Sequence, residues 1–124
     1  MSRKPEEENT PELAIRLAGS IGVDVEMTGE VPRSPRARAL LAQAIRECAA
    51  NAVKHAGGDR LEVAVEAAAG GSRITLTNNG RAPKAPVAES GGLLALRRSA
   101  EALGGRMQVQ SAPCFALTLF LPEP

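Results

Sequence analysis

The sequence predicts an α+β domain, a two-layer α/β sandwich in which helices cover one face of a mixed or antiparallel sheet. Three observations lead there. Apolar residues alternate with polar ones in short runs at 21–26, 61–66, 74–77, 107–109 and 115–121, the period of strands that bury one side. They recur at threes and fours in two longer runs, 34–56 and 93–103, the period of helices that bury one side. Elements that can each bury only one face are satisfied by two packed layers.

Taken in order, residues 1–10 read as a flexible tail and 11–124 as one domain, a length that supports a single core. Pro11 to Ala18 is expected to form a short helix with Leu13, Ile15 and Leu17 as its apolar residues. Ile21, Val23 and Val25 then alternate with Gly22, Asp24 and Glu26 as a half-buried strand ended by Thr28-Gly29. Ser34-Pro35 opens a long helix, because a Ser side chain caps and Pro loses nothing in the first turn. That helix should reach about Ala56, with Leu41, Ile45, Cys48, Ala49 and Ala52 as its buried stripe and Gly57-Gly58 as its stop. Leu61, Val63 and Val65, then Ile74 and Leu76 across the Gly70-Gly71 turn, form an antiparallel hairpin. Gly80 to Ser90 has two prolines and no apolar period and is a loop, long for so small a domain. A second helix follows, with Leu93, Leu96, Ala100 and Leu103 inward, Arg97 and Arg98 on its polar side and Gly104-Gly105 as its stop. Met107 and Val109, and after Ala112-Pro113 the run Phe115, Leu117, Leu119 and Leu121, complete the sheet.

Composition narrows the function. Hydrophobic residues make up 44%, with no Trp, no Tyr and two Phe, which fits a soluble domain packed with aliphatic side chains. Lys and Arg number 15 against 14 Asp and Glu, and there are no aromatic platforms for bases, so nucleic acid is not an expected partner. Cys48 and Cys114 have no paired spacing and His55 is the single histidine, too few ligands for zinc; reduced thiols and a cytoplasmic location are expected. No run approaches the ~20 apolar residues of a membrane span, so this segment is expected to make no membrane contact, whatever anchors a longer parent protein.

Three features carry chemistry. Glu47, Asn51, Lys54 and His55 share a stripe of the long helix beside its apolar stripe. A carboxylate and a carboxamide one turn apart offer hard oxygen ligands for magnesium, and Lys54 and His55 can meet phosphate oxygens; a solvated helix face explains the same stripe. Asn78 lies by period two on the face of Ile74 and Leu76, where a buried amide needs a partner such as an adenine amino group, unless Asn78-Asn79-Gly80 is simply a turn. Ser90-Gly91-Gly92-Leu93 opens a helix after the long loop, where glycines let a phosphate approach free N–H groups, or form a plain connector.

In order and spacing the three together resemble the ATP-binding domain of bacterial sensor histidine kinases, in the superfamily shared with gyrase, Hsp90 and MutL. The run Arg46 to Ala56 is similar to that family's N box, Asn78-Asn79-Gly80 to its adenine-binding box, and Gly91 to Leu93 to its second glycine box. The likeness covers roughly residues 20–122. Gly92 to Arg98, Glu101 to Gly105 and a hairpin ending in Leu121-Pro122 are similar to the short-lid subfamily of nitrate and membrane-fluidity sensors. The resemblance implies a sandwich of the Bergerat type, with ATP between the sheet, the long helix and a mobile lid at 81–91. It implies that Glu47 polarises or orients the acceptor, Asn51 ligates Mg2+, Lys54 and His55 approach the phosphates, Asn78 with Gly80 holds the adenine, and Gly91, Gly92 and Leu93 cradle the phosphates. The chemistry would be phosphoryl transfer from ATP to a histidine on a separate helical dimerisation domain, then to a response regulator.

Departures from the pattern fall mostly at the base end. Asn78 stands where Asp is usual, Ser90 replaces a glycine, and Cys114-Phe115 replaces Gly-Thr before the last strand. These imply a drier, altered adenine pocket. No helical hairpin bearing a phosphoacceptor histidine precedes the domain, so this segment is not expected to autophosphorylate alone. Two other readings compete: a stand-alone anti-sigma-factor serine kinase of the same superfamily, against which the Leu93–Gly105 pattern argues, and a degenerate, non-catalytic interaction module.

Overall fold

The computed structural model describes residues 10–56, 58–79, 91–110 and 115–122, with the backbone alone at 55 and 56. The expected tail apart from Thr10, Gly80, residues 81–90 of the segment expected to form a lid, and Cys114 lie outside the described residues, as does the His55 side chain.

The first helix, α1, is Pro11–Ser20. Thr10 accepts from the Leu13 amide at 3.2 Å and Pro11 occupies the first turn, the two devices that start a helix without a lost donor. Its buried face is Pro11, Ala14 and Ala18, with Ile15 packed against the core beside them; of the expected apolar residues Leu13, Ile15 and Leu17, it is Leu17 that is corrected. Leu17 is 46% exposed, because the small residues, four apart, let α1 lie close to the next helix and turn the leucines aside. Ile21 is likewise corrected: it is the C-cap of α1 at 52% exposure rather than an inward strand residue. Helix α1 has to end and turn before an extended chain begins, so strand β1 is Asp24–Thr28, with Val23 buried just ahead of it.

Helix α2, Pro35–Asn51, starts as expected, with Ser34 accepting from the Ala37 amide at 3.4 Å. Its stripe Leu41, Ile45, Cys48 and Ala49 is at most 1% exposed. The α-helix stops at Asn51, short of the expected Ala56, and Ala52–Ala56 form a π-helical turn that places Lys54 in solvent. Such wide turns recur at functional sites. Strands β2 (Arg60–Ala68) and β3 (Gly71–Asn78), helix α3 (Gly92–Ala102), and strands β4 (Arg106–Gln110) and β5 (Ala116–Pro122) complete the chain.

The five strands form one mixed sheet in the order β1-β2-β3-β5-β4. β1 runs parallel to β2, which requires a crossover, and α2 is that crossover; the other pairs are antiparallel. The register lines up apolar rows: Val65 faces Ile74, which faces Leu119, and Val63 faces Leu76, which faces Leu117. Leu41, Ile45, Leu93, Leu96 and Ala100 close over these rows in a single core. Each such leucine or isoleucine, fully buried, contributes about 1.5–3 kcal/mol. The opposite sheet face is polar, with the Arg106 guanidinium 5.4 Å above the Phe120 ring. Helices on one face of a mixed sheet are the α+β architecture that the two periodicities imply.

Candidate functional site

From the π-helical turn the chain passes through three residues into β2, and the first residues of β2 pair with the last of β3: Leu61 is opposite Asn78. The end of the polar helix stripe and Asn78 are thereby brought to one end of the sandwich. α3 is brought there by a different contact. A β-carbon placed on Gly92 would overlap the Glu47 carboxylate, so that carboxylate lies directly against the Gly92 α-carbon at the first turn of α3. Only a residue without a side chain allows this approach. Gly91 before it has φ 55°, a left-handed backbone that glycine adopts without strain, and no side chain caps the helix. The first turn of α3 thus has no side-chain cap among the described residues, and its N–H groups form the positive end of the helix.

Glu47 and Asn51 are half-buried, one turn apart, beside the core stripe. The Asn51 Nδ2 atom is buried and has no hydrogen-bond partner among the described residues, a state that costs about 1–3 kcal/mol until a ligand supplies one. A half-turn of the carboxamide presents its oxygen at the same place. Between Glu47 and Asn51, Cys48 points into the core. Burial, with the neighbouring Glu47 charge adding to it, pushes its thiol far above the ordinary range, so it stays protonated and unreactive.

Asn78, at 3% exposure, is the buried polar residue of the described core. It sits beside Phe115, whose carbonyl accepts from the Asn78 amide at 3.4 Å and whose ring is fully buried. Leu93 is 4% exposed with its side chain in the core, so only its backbone faces the site. Asn79, which had no expected role, is tied to Asp59, just before β2, and to Arg60, the first residue of β2. Its Oδ1 accepts from the amides of Asp59 at 3.1 Å and Arg60 at 3.0 Å, and its Nδ2 donates to the Asp59 carboxylate at 2.8 Å. Arg97, expected on the polar side of its helix, is half-buried and donates to the Met107 carbonyl at 2.7 Å, fastening α3 to β4. The Asn79 bonds join segments that strand pairing makes neighbours, the Arg97 bond joins a helix to the strand that follows it, and periodicity carries no signal of either.

A sequence model of the histidine kinase-, DNA gyrase B- and HSP90-like ATPases matches residues 37–124, which include every candidate site residue. The chain belongs to that ATPase family. No curated protein sequence matches it significantly. Among solved structures it is similar to the ATP-binding domain of PrrB from Mycobacterium tuberculosis, with 26% identity, a TM-score of 0.69 and 90% of each chain covered. It is similar to the histidine kinase domain of a blue-light activated histidine kinase, EL346, from Erythrobacter litoralis, with 18% identity and a TM-score of 0.68 over 90% of this chain and 57% of that one. The mycobacterial sensor histidine kinase MprB gives 16% identity and a TM-score of 0.65 over 90% and 92%. Family membership makes a nucleotide the ligand class against which the Glu47–Gly92 contact and the Asn51 amide are to be judged.

Proposed function

We propose that this chain binds ATP with magnesium and donates the γ-phosphoryl group to a histidine on a separate helical domain, as the catalytic part of a short-lid, two-component histidine kinase. The observation that carries the reading is the buried Asn51 amide, unpartnered among the described residues, one turn from a carboxylate packed on the first glycine of α3. That arrangement is costly for a surface face and suited to a polar ligand held between two helices.

The donor set fits Mg2+. Glu47 and Asn51 offer hard oxygens one turn apart, and magnesium typically takes one or two protein ligands and completes its shell with phosphates and water. Asn51, with Glu47 one turn before it, would hold it; when bound it neutralises charge on the β- and γ-phosphates. The α3 N-terminus and Lys54 offer positive ends to the same oxygens, and Asn78 offers its carboxamide to the adenine edge. Glu47 can hold the attacking imidazole through its N–H. As the phosphorus–nitrogen bond forms, the bond to the bridging oxygen breaks and ADP leaves with its electron pair. The single histidine of the sequence, His55, lies on the nucleotide helix, so the acceptor comes from outside these 124 residues.

Calorimetric titration with ATP tests the reading: binding should tighten with magnesium, and Asn51→Ala should abolish the tightening while the protein still melts cooperatively. Absence of heat at millimolar ATP would sink the proposal, and tightening retained in Asn51→Ala would sink the metal assignment. Labelled phosphate should reach a phosphoacceptor domain supplied in trans and not the chain alone.

A further inference from the structure

We propose that Asn79 is a positioning residue that couples the base end of this site to its phosphate end; the role rests on the ATP-site reading above. Asn78, the last residue of β3, is buried, while Asn79, just past the strand end, is exposed with its side chain bonded to Asp59 and Arg60, so Asn79 does not meet the base that Asn78 would meet. Nor does it form a local turn, since its side chain bonds 19 and 20 residues back in the chain.

The bonds form a continuous path. The Gly58 amide donates to the carbonyl of Ala52, the first residue of the π-helical turn that carries Lys54, at 3.0 Å. The next residue, Asp59, donates its amide to Asn79 Oδ1 and accepts from Asn79 Nδ2 with its carboxylate, and its carbonyl accepts from the Asp24 amide at 2.8 Å, so β1 is held at the same point. The Asn79 amide in turn donates to the Arg60 carbonyl at 3.2 Å. One carboxamide with three hydrogen bonds, one of them to a charged group, has its plane fixed. The residue before it is Asn78. Opening the clamp therefore releases the end of β3 and the end of the polar helix together.

Asn79→Asp tests this, because it keeps an oxygen for both amides but sets a second carboxylate against that of Asp59. Adding Asp59→Asn reverses the polarity and restores a donor facing an acceptor. Asn79→Asp should raise the Kd for ATP by about tenfold or more, with losses in both adenosine affinity and the magnesium-dependent increment, while D59N/N79D should return to within about threefold of wild type. Without nucleotide, amide hydrogen exchange at 52–60 and 74–78 should rise in Asn79→Asp and fall back in the double variant.

Wild-type affinity in Asn79→Asp would overturn the proposal, even with a lowered melting temperature, because that is a purely structural role. A double variant no better than Asn79→Asp would overturn it too. A wild-type chain that binds no ATP sinks the nucleotide reading instead. The exchange measurement then judges the coupling by itself: unchanged exchange, or a rise confined to one of the two segments, overturns it.

Discussion

Replacing Gly92 by alanine probes the contact that joins α2 to α3. The new methyl overlaps the Glu47 carboxylate, whereas the backbone at Gly92 lies outside the left-handed region, so the helix itself accepts a side chain. Alanine in place of glycine favours the helix by up to about 1 kcal/mol. The carboxylate is the far end of a half-buried, flexible side chain, so it swings aside at a cost of order 0.5–1.5 kcal/mol if it leaves its rotamer. The two terms nearly cancel, and stability in urea should stay within about 1 kcal/mol of wild type. Binding has no such compensation. The methyl takes the place of the Glu47 carboxylate beside the α3 N-terminus, where a phosphate would approach, an overpacking of about 1–3 kcal/mol that corresponds to roughly 5- to 150-fold in Kd. Titration calorimetry with ATP and magnesium, beside urea denaturation of the same sample, reads both quantities. Undiminished affinity in a well-folded variant would refute the assignment of Gly92 to the phosphate approach. An unfolded variant would refute the packing argument.

Other consequences are open to direct measurement. Leu41→Ala, at a fully buried position under the sheet, should cost about 2–5 kcal/mol by chemical denaturation, whereas Leu17→Ala, 46% exposed on α1, should stay within about 0.5 kcal/mol. Ser34→Ala removes the cap of α2 and should cost about 0.5–2 kcal/mol, visible as a lowered melting temperature. The Cys48 thiol is held protonated in the folded chain while the unfolded thiol ionises near its ordinary 9.0. Its contribution to stability is thus complete below that value and declines as pH rises above it, by up to about 1.4 kcal/mol per pH unit. Urea melts of wild type and Cys48→Ala at pH 8 and pH 10 should accordingly converge at the higher pH; a gap of constant size would contradict the burial argument.

Much of the fold was legible before any tertiary contact. The Ser34-Pro35 start, the stripe Leu41, Ile45, Cys48 and Ala49, the hairpin from Leu61 to Leu76 and the inward run Phe115 to Leu121 all follow from caps, turns and periods. Each is set by residues within a turn or two of one another. The same local rules misjudged Leu17 and Ile21, because a helix packed through Ala14 and Ala18 sends its larger residues outward. They also missed the change from α- to π-helix after Asn51.

For the site, residue types and order were readable in the sequence: Glu47, Asn51, Asn78 and the glycines opening α3. Tertiary structure decided what those residues touch. The insertion of β5 between β3 and β4, the parallel pairing of β1 with β2, the Glu47 carboxylate against Gly92 and the Asn79 bonds to Asp59 all join segments far apart in the chain. Strand register determines such meetings, and a one-residue slip would turn Asn78 out of the core. Register is settled by the whole core closing at once, so it belongs to the folded molecule and not to any one of its segments.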